Sequence, residues 1–244
     1  MKNRKLVKPF ILNLAGMLLI ALNLGSANAM EFGMFKEHTI YTWDKEGFKD
    51  RIILVFHGLG SAQPNGRFKR LQAKLNDQFS VVGVNYDYTD VDKNISELDK
   101  LWENRLIGHQ VYVVGTSLGG FWADYFANKY GADKLVVVNP VTLPKTDLAQ
   151  FLGERYSDKR QKYYTITQED LDAYGELSIE PHPRTESLVV LARDDKIINY
   201  VHALKKYLSN NNSIVIAHGK GGHSLPFTDP IYFELLKAFL GAED

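Results

Sequence analysis

The sequence predicts an α/β protein: one mostly parallel sheet with helices on both faces and a short excursion that could cover its active end. Three observations predict it. Short continuous apolar runs at 52–57, 111–114, 135–139 and 188–192 have the length and β-branched content of strands buried on both faces. Stretches with helical spacing alternate with them, as parallel crossover units require. The third observation is Gly115-Thr116-Ser117-Leu118-Gly119, which joins one such strand directly to a helical pattern. A pentapeptide of this form in that setting is a nucleophile elbow, a sharp strand–turn–helix corner that lifts a serine hydroxyl above the strand end.

In chain order, residues 38–43 read as a short edge strand before the turn Asp44-Lys45-Glu46-Gly47. Residues 52–57 form a buried strand, and 58–66 a Gly/Ser/Pro/Asn loop. Phe68, Leu71, Leu75 and Phe79 share one face of a helix over 68–79. A strand covers 80–86. A helix covers 95–106, with Ile95, Leu98, Leu101 and Trp102 apolar. Residues 111–114 are the elbow strand and 118–130 its helix. A strand at 135–139 is closed by Pro140, and one at 188–192 runs into Arg193-Asp194-Asp195. Then come a helix at 200–208, a last strand at 213–217, a glycine-rich loop with His223, and a closing helix at 230–240 that admits proline in its first turn. Residues 141–184 break the alternation. They leave from the carboxyl end of a strand, where sites form in open α/β sheets, so they read as a lid-like insert.

The chain has 244 residues, 45% hydrophobic and 24% charged, enough for one α/β domain with a full core. Formal net charge is zero, so there is no nucleic-acid footprint. Cysteine is absent, which excludes disulfides and a zinc-like Cys/His cluster, and no metal or cofactor motif is found. The N-terminus has a different character. Lys2, Arg4, Lys5 and Lys8 precede an uncharged, mostly apolar run over 9–24, and small residues end in Ala27-Asn28-Ala29. That is the layout of a secretory signal peptide, 1–29, cleaved after Ala29, which leaves 30–244 as a single domain in the periplasm or outside the cell. The alternatives are an uncleaved membrane anchor, disfavoured by a short run holding Asn13 and Asn23, and translation from Met30. Cleavage removes four basic and no acidic residues. The mature formal charge is then −4, which argues against an anionic-surface partner, and loss of the apolar run on cleavage leaves no stable membrane insertion expected.

A serine hydroxyl attacks only if a base takes its proton. In this architecture the base lies on the loop after the last strand, and His223 in Gly221-Gly222-His223-Ser224 fits; His218, ending that strand, is its rival. An acid that orients the imidazole follows the strand before it, where Asp194 and Asp195 stand side by side, and position alone leaves the two open. The oxyanion of a tetrahedral intermediate needs two backbone N–H donors. Leu118, after the nucleophile, supplies one. The loop His57-Gly58-Leu59-Gly60 supplies the other, with Leu59 as the choice and His57 as a loop-shaping residue that bonds backbone. Tyr86, Asp87 and Tyr88 read as solvated loop residues, with pocket lining as the other possibility.

These motifs resemble the α/β-hydrolase superfamily, and within it the small YqiA/YcfP-type esterases. The residues that carry the resemblance include Val55-Phe56-His57-Gly58-Leu59, Gly115 to Ala123, Val138-Asn139-Pro140, Tyr164 to Leu171, Asp195 to Tyr200, and Gly221 to Leu225. The resemblance implies Asp195 over Asp194, because the family's acid precedes a polar residue and two aliphatics, as in Lys196-Ile197-Ile198. It implies hydrolysis of a small-molecule carboxylic ester by Ser117, His223 and Asp195 through an acyl-enzyme. Those relatives look cytoplasmic, whereas this chain begins with an export signal. The same machinery supports thioesterase, acyltransferase or peptidase chemistry, and a non-catalytic binding protein on this scaffold is the reading of another class.

Overall fold

Residues that alternate between the two faces of the apolar runs set the centre of the molecule. The computed structural model describes residues 30–32, 40–42, 44, 47–177, 179, 182, 184–225 and 230–243. The expected export segment, 1–29, lies outside them. Strands β1 (Met30–Phe32), β2 (Ile40–Thr42), β3 (Arg51–Phe56), β4 (Ser80–Val84), β5 (Gln110–Thr116), β6 (Lys134–Val138), β9 (Glu186–Ala192) and β10 (Ser213–His218) form one eight-stranded sheet. Its order is β1-β2-β4-β3-β5-β6-β9-β10. The pairs from β4 through β3, β5, β6 and β9 to β10 are parallel; β1 and β2 are antiparallel to their neighbours. The antiparallel edge strand β1 was not expected, since three residues are too few to show a period.

Along β3, Ile52, Leu54 and Phe56 enter one core, and Ile53 and Val55 the other. The first core packs against α2 (Val91–Leu101), α3 (Leu118–Tyr130) and α6 (Tyr200–Leu208), through residues such as Leu98, Phe121, Trp122 and Tyr207. The second packs against α1 (Gly66–Leu75) and α7 (Pro230–Leu240), through Phe68, Leu71, Leu75, Phe233, Leu236 and Leu240. Helix α3 is buried at every position from Leu118 to Ala127. Such a helix lies at the centre of a core rather than on a surface. Among the described residues, no helix is long and apolar enough to cross a membrane.

Helix α2 starts earlier than its apolar spacing suggests. Asp90 caps it by accepting from the Lys93 amide at 2.9 Å. It also stops sooner, in a π-helical turn at Trp102–Leu106. The insert holds a short helix α4 (Pro144–Asp147), an antiparallel hairpin β7 (Gly153–Ser157) with β8 (Lys162–Ile166), and α5 (Gln168–Glu176). Helix α5 begins in a capping box between Thr167 and Asp170. It docks on α3 through Tyr174, whose ring meets Phe121 and Trp122 edge-on.

Candidate active site

Ser117 stands at the N-cap of α3 with φ 56, a left-handed conformation that costs a non-glycine residue energy. Its hydroxyl makes no capping bond, unlike the side chains that begin α1, α2, α5 and α6. A serine that merely starts a helix would use its oxygen to accept from the first-turn amides. The corner is held by backbone instead: the Ser117 amide donates to Val138 O at 3.1 Å, and its carbonyl accepts from Val141 at 3.1 Å. The flanking glycines are steric necessities. A Cβ on Gly115 would strike the Gly119 carbonyl, one on Gly119 would strike the His57 carbonyl, and one on Gly120 would sit 2.7 Å from Pro140 Cβ.

His223 and Asp195 meet. The Nδ1–H of His223 donates to Asp195 Oδ2 at 2.8 Å, so Nε2 is left as the lone-pair nitrogen. The other oxygen, Oδ1, accepts from the amides of Ile197 at 2.8 Å and Ile198 at 3.1 Å. Burial works to raise the Asp195 pKa, but the His223 bond and these two amides outweigh it and hold the carboxyl below its ordinary range. Asp194 does something else. It accepts from the amides of Gly222 at 2.8 Å and Gly221 at 3.3 Å, bonds that lower its pKa and brace the loop carrying His223. His218 turns its ring to the Lys220 carbonyl and the edge of Tyr232.

The loop after β3, expected to hold the second oxyanion donor, is a tight turn. Ser61 N–H donates to Gly58 O at 3.2 Å, and Gly60 takes φ +74, the positive value that a type II turn demands at its third position. Leu59 is the second residue of that turn. Leu118 is the first residue of α3, where the N–H has no partner within the helix. His57 is buried, stacks on Tyr86 at 4.6 Å between ring centres, and donates from Nδ1 to Gly58 O at 2.9 Å. It therefore bonds backbone as a loop residue. Tyr86 and Tyr88 correct the reading of a solvated loop: they are 2% and 1% exposed. The Tyr86 hydroxyl donates to His57 O at 2.6 Å, and that of Tyr88 donates to Ser61 O. Burial raises both pKa values, Tyr88 to about 12, so both remain neutral donors.

The hairpin of the insert is fastened onto this turn. Ser157 Oγ donates to Gly60 O at 2.9 Å. Arg160 donates from Nε to Ser61 O at 3.3 Å and from Nη2 to Tyr86 O at 2.6 Å. Its Nη2 also lies 3.4 Å from His57 Nε2, and its guanidinium covers the Tyr88 ring at 4.1 Å. Asn139, with φ 43, joins three loops. Its Nδ2 donates to the carbonyls of Gly222 and His223, each at 3.0 Å, and its Oδ1 accepts from Ala192 N at 2.8 Å, at the end of the strand that leads to Asp195.

Ser117 and His223 line one open cavity of about 390 Å³, together with Leu59, Asn65, Arg67 and Arg70. Arg67 donates to Thr116 Oγ1 and to Leu225 O, beside the elbow. Burial, and then the charge of Arg70, lower its pKa to about 10. Sequence reasoning missed Arg67, Arg160 and the role of Asn139. The first two lie far from the elbow in sequence, and only Asn139, already part of the Asn-Pro motif, carried a local signal. Among the described residues, no group of three or more His, Cys, Asp or Glu could hold a metal ion.

A sequence model described as an uncharacterised protein family (UPF0227) matches residues 52–240. No curated protein sequence matches the chain. Among solved structures, the chain is similar to Est1E from Butyrivibrio proteoclasticus, with a TM-score of 0.65 at 13% identity, covering 88% of this chain and 96% of that one. It is similar to alpha/beta hydrolase domain-containing protein 10 from mouse, with 0.65 at 14% identity, covering 87% and 96%. A third likeness is to Paleococcus ferrophilus monoacylglycerol lipase, 0.60 at 14% identity, covering 88% and 100%. At these identities the likeness is one of fold.

Proposed function

The chain belongs to the uncharacterised family UPF0227 and has an α/β-hydrolase fold, and from that premise we propose that it hydrolyses carboxylic esters with Ser117 as nucleophile. His223 Nε2 takes the hydroxyl proton as Ser117 Oγ bonds to the ester carbonyl carbon. The carbonyl oxygen becomes an oxyanion facing the amides of Leu59 and Leu118. The tetrahedral adduct collapses, the bond to the alcohol oxygen breaks, and His223 returns the proton to the leaving alcohol. Water repeats the sequence on the acyl-enzyme, releasing the acid and restoring the Ser117 hydroxyl. Asp195 keeps the imidazole in the tautomer that accepts at Nε2 and stabilises its protonated form. General acid–base transfer contributes about 10²–10⁴ in rate, and each oxyanion donor about 10²–10³.

The observation that supports this reading most is the Asp195–His223 bond at the rim of the cavity that Ser117 lines, combined with a serine hydroxyl left out of helix capping. A fluorophosphonate probe tests it, because such probes esterify only an activated serine. Wild-type protein is expected to label, and Ser117→Ala is not. Absence of labelling in the wild type, or equal labelling of the variant, removes the reading.

A further inference from the structure

The cavity beside Ser117 has an unusual lining for a site that would take a plain apolar ester. Among the described residues that line it, Leu59 is the one hydrophobic side chain, and none is acidic. Two of them are arginines. Arg67 and Arg70 stand three residues apart on α1, so they lie on one face of the helix. Arg67 is fixed in place by Thr116 Oγ1 and Leu225 O, next to the nucleophile. Arg70 is exposed and donates from Nε to Gly66 O at 3.3 Å, which sets its guanidinium over the first turn of α1 at the cavity wall.

Like charges this close oppose each other, and the opposition grows as water is removed. Arg67 feels both effects, as its lowered pKa reflects. An anion placed in the cavity offsets both by its opposite charge. It offers the two guanidinium groups charge-assisted bonds, for which planar arginine forks suit carboxylate and phosphate oxygens. Asn65, whose side-chain oxygen is committed to the amides of Arg67 and Phe68, fixes the start of α1 and so the direction of both arginines.

We propose that the ester cleaved at Ser117 carries an anionic group, a carboxylate or a phosphate, that binds between Arg67 and Arg70. This rests on the reading of Ser117 as the nucleophile and names the class of ester it serves. The anion sits on the acyl part, so that hydrolysis releases a diacid, or on the alcohol part, so that it leaves with the alcohol. In both cases its charge is recognised before any bond breaks.

Matched pairs of esters test it in two arms. In the acyl arm, 4-nitrophenyl hydrogen glutarate is compared with 4-nitrophenyl valerate, which has the same chain length without the charge. In the alcohol arm, 4-carboxyphenyl acetate is compared with 4-methylphenyl acetate. In at least one arm, kcat/KM for the anionic ester is expected to exceed its neutral match by about tenfold or more, the value of one charge-assisted bond pair. Arg70→Gln is expected to lower that ratio about fivefold or more, and Arg70→Glu to bring it below one. Added salt at about 0.5 M shrinks the wild-type ratio. A ratio at or below one in both arms, or a ratio that Arg70→Gln leaves in place, overturns the anion site while ester hydrolysis stands. If no ester is turned over and no probe labels Ser117, the hydrolase reading fails by itself. The subsite is then judged by titrating Ser117→Ala protein with methyl hydrogen glutarate and methyl valerate. Preference for the charged ligand that disappears on adding Arg70→Gln supports the site; equal binding overturns it.

Discussion

Two neighbouring carboxylates meet the histidine loop in different ways, and the difference predicts their chemistry. Asp195 bonds the His223 imidazole, whereas Asp194 bonds the amides of Gly221 and Gly222. Asp195→Asn puts an amide where the imidazole donates and favours the wrong tautomer. It is expected to lower kcat by about 10⁴. Asp194→Asn only loosens a brace and is expected to cost far less; the reverse ranking in ester turnover would contradict the assignment. The Asp195 carboxyl also titrates below its ordinary range, so its ionised form is favoured in the fold. Stability from it is fully present above about pH 4 and is lost as pH falls through the lowered value. Urea unfolding should show Asp195→Asn and wild type converging as the solution is acidified. A gap that stays constant with pH would rule this out. The sequence placed both aspartates at the right strand end and could not choose between them by position, because adjacent side chains differ only in the turn that follows. Arg67 and Arg160 act through tertiary contacts, which no local pattern records, and the Asn-Pro motif marked Asn139 without revealing the loops it joins.

At the scale of elements, the insert hairpin and the turn at Gly58–Ser61 act as one piece. Arg160 spans Ser61 O, Tyr86 O and the His57 ring, and thereby sets the backbone from which, in the proposed mechanism, Leu59 offers its N–H. Removing a whole oxyanion donor costs about 10²–10³ in kcat; misplacing one costs less, about tenfold. Arg160→Gln is expected to lower kcat about tenfold with KM little changed, since ground-state binding does not use that donor. Arg160→Lys should recover part of the loss. Stability should hold, because Ser157 still bonds Gly60 O and Tyr164 still packs edge-on against Tyr88. A change confined to KM would refute a positioning role for Arg160. The parallel strands and the helices α3, α6 and α7 were legible because their apolar periods are long and uninterrupted. The hairpin was not. Its turn, Asp158-Lys159-Arg160-Gln161, is fully polar and places Gln161 at φ 52, where a glycine or asparagine would have signalled it.

For the molecule as a whole, the two cores are held by different parts of the chain. The last helix supplies Phe233, Leu236 and Leu240 to the second core, and Arg51 of β3 bonds the carbonyls of Leu240 at 2.9 Å and Gly241 at 2.7 Å. Burying three such side chains is worth about 5–9 kcal/mol, comparable with the whole stability of a domain. Truncation before Pro230 should therefore abolish cooperative unfolding and soluble yield, read by circular dichroism on heating. A truncated protein that melts cooperatively near the wild-type temperature would disprove it. The order of the strands has a consequence for time rather than for energy. Leu59, Ser117, Asn139, Asp195 and His223 follow β3, β5, β6, β9 and β10, which stand side by side in the sheet but are spread along the chain. No two of them become neighbours through a local hairpin; each juxtaposition waits for a long crossover to close. If Ser117 is the nucleophile proposed above, a nascent or half-assembled chain holds it inert, and reactivity arrives only with the last strand, as a signal that folding is complete.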